Sequence, residues 1–127
     1  MHAKIEFDLP GIGAQLATMD EAALNGLDFG VIGFDLAGRV RRYNTFESQA
    51  AGLRAERVLD QDLFMVVAPC MNNFMVAERF VEARETGATL DDTINYVLTL
   101  RMRPTKVRLR LVSGPADEIA YVLVHRV

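Results

Sequence analysis

The last third of the chain alternates between apolar and polar residues. Ile94, Tyr96, Leu98, Leu100 and Met102 are interleaved with Thr93, Asn95, Thr99, Arg101 and Arg103, and only Val97 breaks the rhythm. A period of two sends successive side chains to opposite faces of a strand. Arg103-Pro104-Thr105 then reads as a turn, after which Val107, Leu109 and Leu111 alternate with Lys106, Arg108 and Arg110. Ser113-Gly114-Pro115-Ala116-Asp117 turns the chain again into Ile119–Val127. Strands joined by turns this short pair as antiparallel neighbours. The end of the chain is therefore predicted to be a three-stranded antiparallel sheet.

Upstream, Phe29 to Asp35 and Arg39 to Tyr43 read as two further strands around the turn Leu36-Ala37-Gly38. Short helical pieces are expected between about 44 and 68. A longer helix is predicted over 73–86, with the stripe Phe74, Ala77, Phe80 and Val81, closed by Gly87. Residues 1–28 read as two short helices, one carrying Ile12 and Leu16, the other following Asp20 as N-cap. Two strands, then helices, then three strands suit an α+β domain: a five-stranded antiparallel sheet with helices on one face and an N-terminal helical cap. The expected division is a cap over 1–28 and a core over 29–127.

Length and charge narrow the function. A chain of 127 residues is one domain with room for a proper core. No apolar run approaches the roughly 20 residues that cross a bilayer, and the start lacks the apolar stretch of a signal peptide. The expectation is a cytoplasmic protein without a membrane role, a monomer or weak dimer. A net charge of −3 argues against nucleic acid as partner. Arg101, Arg103, Lys106, Arg108 and Arg110 form a basic ladder, but no aromatic residues interleave it as a single-strand binder would need. A solvated sheet face is its simplest reading. The acidic segment 1–28, with Glu6, Asp8, Asp20, Glu21 and Asp28, offers another, by lying across the ladder. With few large apolar side chains to anchor it, that segment is expected to be held weakly.

Cys70 is the only cysteine, so it forms no internal disulfide and holds no metal by itself. Taken alone it is a buried thiol or an attachment point. His2 lies in the tail and His125 near the end of the last strand, so neither suggests a catalytic dyad, and no enzyme is expected. Asn44 followed by Glu47 resembles a capping box, and Tyr43 fits a half-buried strand end.

Taken together, these residues say more. The element order is similar to the PAS sensor fold, and the chain resembles the photoactive yellow protein family. The resemblance is carried by Leu27-Asp28-Phe29-Gly30, Tyr43-Asn44-x-x-Glu47, Val67-Ala68-Pro69-Cys70, Met102-x-Pro104-Thr105-Lys106-Val107 and Arg126-Val127. It implies a blue-light photoreceptor with p-coumaric acid (4-hydroxycinnamic acid) as a thioester on Cys70. Tyr43 and Glu47 would donate hydrogen bonds to its phenolate. After trans–cis photoisomerisation, Glu47 would give up its proton and the structure would change to signal to a downstream protein. The resemblance also places Pro69, Ala51, Leu53, Leu98, Leu100 and Met102 around the chromophore, Met102 as an aid to re-isomerisation. This chain departs from the family at Ala51, where threonine is usual, at Leu53, where arginine is usual, and at Leu98 and Leu100, where aromatic residues are usual. Ser48 and Gln49 also differ from the commonest residues. The alternative reading is a PAS-like ligand-binding or dimerisation module with Cys70 unmodified.

Overall fold

The computed structural model describes residues 5–99 and 103–126. Two short helices come first, α1 (Ile12–Thr18) and α2 (Glu21–Asn25). Strands β1 (Gly30–Phe34) and β2 (Val40–Tyr43) follow, then helices α3 (Thr45–Ala51) and α4 (Ala55–Val58). A π-helical turn at Leu63–Val67 and a 3₁₀ turn at Pro69–Met71 lead to α5 (Ala77–Thr86). The chain finishes with β3 (Leu90–Leu98), β4 (Thr105–Ser113) and β5 (Ala120–Arg126). The sheet has the order β2-β1-β5-β4-β3, antiparallel at every pairing. The predicted five-stranded α+β architecture is thus present. Leu100, Arg101 and Met102, at the end of the predicted third strand, lie outside the described residues, as does Val127.

The alternation seen in the sequence sorts side chains between two cores. Ile32, Phe34, Val107, Leu109, Leu111, Val122 and Val124 face the main core under the helices. Their neighbours Val31, Val112, Tyr121 and Leu123 face the other side, where Phe7, Ile12, Leu16 and Leu24 of the N-terminal segment cover them. Both faces of β5 are therefore buried.

That second core corrects the view of a weakly held acidic cap. Four large apolar side chains of the segment are buried. Arginines then tie down its backbone. Arg110, itself buried, donates to the carbonyls of Phe7 and Leu9 and makes a two-pronged pair with Asp91. Arg42 donates to the carbonyls of Leu16 and Met19 and to the Tyr121 hydroxyl. One pair expected from charge, Arg108–Asp8, is present at 2.9 Å on the surface. Part of the basic ladder thus faces the cap rather than water.

The helix predicted over 73–86 starts four residues late. The Asn73 side chain accepts hydrogen bonds from the backbone of Met75 and Val76, a turn that competes with the first helical turn. Consequently Phe74 is 73% exposed, and the buried stripe is Ala77, Phe80 and Ala83. Val81, placed on that stripe from the sequence, is 54% exposed. Gly87 closes the helix in the left-handed conformation as expected (φ 67°).

Candidate functional site

The site grows from the junction of β2 with α3. Asn44 caps α3 by accepting from the Glu47 N–H, and the same oxygen accepts from Val31 N–H in β1. Its amide nitrogen donates to the carbonyls of Leu24 and Phe29. One fully buried side chain thereby joins α3, β1 and the cap. With the cap made by Asn44, Glu47 does not reach back to close a capping box. It turns inward and is 1% exposed.

A lone buried carboxylate would be expensive, and this one is paired. Arg126, on the inward-facing register of β5 with Val122 and Val124, donates Nη1–H to Oε1 at 2.7 Å and Nη2–H to Oε2 at 3.0 Å. Gly30 makes room for the carboxyl group. A side-chain carbon at position 30 would overlap Oε1 of Glu47. Gly30→Ala is therefore expected to displace the carboxyl and destabilise the protein by about 1–3 kcal/mol, the usual cost of overpacking. Thermal unfolding checks this; an unchanged Tm would show that Glu47 does not occupy the space beside β1.

The electrostatics follow from burial. Burial pushes the Glu47 carboxyl above its ordinary range, and the bonds from Arg126 oppose the shift without reversing it. Burial also pulls the Arg126 guanidinium down, but its bond to Glu47 and the charges of Glu47 and Tyr43 together more than offset this. The Tyr43 hydroxyl, at the buried end of β2, is raised by burial first and by the Glu47 charge second, while Arg126 acts the other way. Tyr43, Glu47 and Arg126 thus form one interacting group.

These directions predict a pH dependence. A carboxyl whose folded pKa lies above its unfolded value binds more protons in the native state. Its contribution to stability is complete below the ordinary glutamate pKa of about 4.3 and is lost as pH rises through the folded value. Stability of wild type relative to Glu47→Gln should therefore fall with rising pH above about 4.3. Urea unfolding of both proteins over a pH series measures the difference. A flat or rising difference would contradict the raised pKa.

Cys70 lies on the other approach to the main core. It is half-buried in the 3₁₀ turn and lines a cleft of ≈ 680 Å³ with Leu53, Arg57, Val58, Val66, Val67, Pro69 and Thr99. The turn is held by its backbone. Tyr96 Oη–H donates to the Cys70 carbonyl at 2.5 Å, and Asn73 Nδ2 donates to Tyr96 Oη at 2.6 Å. Met71, next in sequence, is fully buried and anchors the turn from below.

Cys70, Leu53 and Pro69 thus share one cleft, while Leu98 and Tyr43 lie in the main core behind it, against which Cys70 and Leu53 also pack. Ala51 is buried at the end of α3. Tyr43 and Glu47 are not part of the cleft lining among the described residues. Leu100 and Met102 lie outside the described residues. Reading the sequence for function left Arg57, Asn73, Tyr96 and the role of Arg126 unassigned. Arg57, in α4, brings a cation to the cleft that Leu53, in the loop before that helix, does not. Arg126 shares strand parity with the apolar Val122 and Val124, so its place on the inner face was within reach of the alternation.

Comparison with models of known families gives no match. Individual proteins do match. The photoactive yellow protein of Halochromatium salexigens is 32% identical over 122 residues, 96% of this chain and 97% of that protein. The photoactive yellow protein domain of the sensor histidine kinase Ppr from Rhodospirillum centenum superposes with a TM-score of 0.80 at 30% identity, covering 88% of this chain and 97% of that one. The PAS domain of a Colwellia psychrerythraea protein shares the fold at 16% identity, with a TM-score of 0.63 over 91% of this chain and 97% of that one. Among the described residues, no helix is long and apolar enough to cross a membrane. Identity at this level, sustained over nearly the whole of both proteins and on the same sheet, shows that the chain belongs to the photoactive yellow protein family of PAS sensors.

Proposed function

We propose that this protein is a blue-light photoreceptor that carries p-coumaric acid as a thioester on Cys70. The observation that supports it best is the division of chemistry around one core. A single thiol lines a cleft and packs against the main core, Tyr43 is buried in that same core, and Glu47, four residues on, is buried in the first turn of α3. That donor set fits the group: a nucleophile for attachment, two O–H groups for a phenolate, and an apolar core beside them. A cleft of ≈ 680 Å³ also falls in the range of small-molecule sites, roughly 300–1,000 Å³.

When bound, p-coumaric acid supplies visible absorption, a double bond that light isomerises, and an ionisable phenol. The chain supplies the rest. Cys70 gives up its thiol proton as its sulfur bonds to the acyl carbon of an activated p-coumaric acid, whose activating group leaves with the electron pair of the bond it breaks. Tyr43 donates its O–H, and burial keeps that proton on the oxygen. Glu47 donates only while protonated, the form that burial favours. Losing the proton leaves a buried carboxylate whose burial cost Arg126 offsets only in part, and the remainder is available to drive rearrangement passed to a downstream signalling protein. Arg57 brings positive charge to the cleft in a chain that has leucine at position 53.

The test is to supply the protein with activated p-coumaric acid. A visible absorption band and the mass of one covalent adduct are the expected results. Protein that gains neither mass nor colour would be a PAS module with an unmodified cysteine.

A further inference from the structure

The Glu47–Arg126 pair is a feature that the proposed chemistry does not by itself require. Two groups face the carboxyl from the strands on either side of β1, Tyr43 from β2 and Arg126 from β5. Only Arg126 makes hydrogen bonds to it among the described residues, and it does so with both prongs of the guanidinium, one to each oxygen. Such a fork recognises a carboxylate, since both oxygens must accept. A neutral carboxylic acid keeps one oxygen as a donor and gains far less from the same neighbour.

We propose that Arg126 is a positioning residue for the ionised form of Glu47, which holds the carboxylate once its proton has left and thereby sets the lifetime of the light-adapted state. The light-dependent half rests on the function proposed above. There the O–H bond of Glu47 breaks, the electron pair stays on the carboxylate, and the proton passes to the phenolate oxygen of the bound group. Recovery returns the proton. Arg126 shifts this balance because it interacts differently with the two forms of Glu47, which is the requirement for any partner that moves an equilibrium. A lysine at this position keeps the charge and loses the fork, so it replaces Arg126 only in part.

Two measurements separate the halves. In protein without chromophore, carbon-13 NMR of labelled glutamate follows the Glu47 carboxyl. Arg126→Gln should raise its titration midpoint by about one pH unit or more, with Arg126→Lys between wild type and Arg126→Gln. In loaded protein, Arg126→Gln should speed dark recovery about tenfold or more, again with Arg126→Lys intermediate. A midpoint that does not move overturns the pairing. A midpoint that moves while recovery stays unchanged overturns the light-state role. Protein that takes up no chromophore removes the proposed function and the light-state role with it, and the titration alone then decides the pairing.

Discussion

Cys70→Ala is expected to abolish both the adduct and the colour while leaving the protein folded. Alanine offers no nucleophile, and Cys70 is the chain's only thiol, so no second site can substitute. The fold should tolerate the change because the side chain contributes little to holding its turn. The Cys70 carbonyl, not the sulfur, accepts from Tyr96, and the neighbouring Met71 fills the core. The thiol is half-buried, so its loss should cost less than about 1 kcal/mol, within the lower range for a small core deletion. Mass spectrometry after treatment with activated p-coumaric acid, beside a urea unfolding curve, gives both answers. An adduct of unchanged yield in the variant would move the attachment away from Cys70. A variant that fails to fold would mean that the sulfur does more structural work than its exposure suggests.

How far the sequence leads depends on the kind of interaction. Period-two alternation fixes which side of a strand each residue faces, so Leu109, Leu111, Val122 and Val124 could be placed in the core without coordinates. The N-caps Asp20 and Asn44 were equally legible, because short-range geometry determines them. Helix periodicity failed at Phe74 because a single side chain, Asn73, captured two backbone N–H groups and delayed α5. No hydrophobic pattern carries that information. Glu47 shows a different limit. Its spacing from Asn44 suggested a solvated cap, and its burial depends on Gly30, 17 residues earlier, and Arg126, 79 residues later. Contacts of that range come from the assembled sheet. Only the likeness to a known family brought Tyr43, Glu47 and Cys70 together beforehand, and it left Arg126 without a role.

The cap offers the clearest contrast between what charge suggested and what packing does. An acidic segment over a basic face suggests electrostatic docking, whereas the structure buries Phe7, Ile12, Leu16 and Leu24 against Phe29, Val31, Val112, Tyr121 and Leu123. The magnitudes separate these views. An exposed ion pair such as Arg108–Asp8 is worth about 0–1 kcal/mol. Truncating a fully buried leucine costs about 2–5 kcal/mol. Leu16→Ala is thus expected to lower stability several times more than Asp8→Asn, and raising the salt concentration should change neither result much. Deleting residues 1–25 would remove all four cap anchors, at about 1.5–3 kcal/mol each for complete burial. That sum is comparable to the whole stability of an ordinary domain, about 5–15 kcal/mol. The truncated chain should therefore unfold far more readily or cover its bare sheet by self-association. Thermal unfolding and light scattering distinguish these outcomes from a cap that is merely tethered by charge, for which Asp8→Asn and added salt would match the leucine variant. The placement of β5 joins Glu47 to the cap. Arg126 faces Glu47 on one side of the sheet, while the adjacent His125 stacks on Phe7 of the cap at 5.2 Å on the other. A shift of β5 that follows a change at Glu47 would act on a packed interface, so the cap would respond by repacking as a unit rather than by drifting off a weakly charged surface.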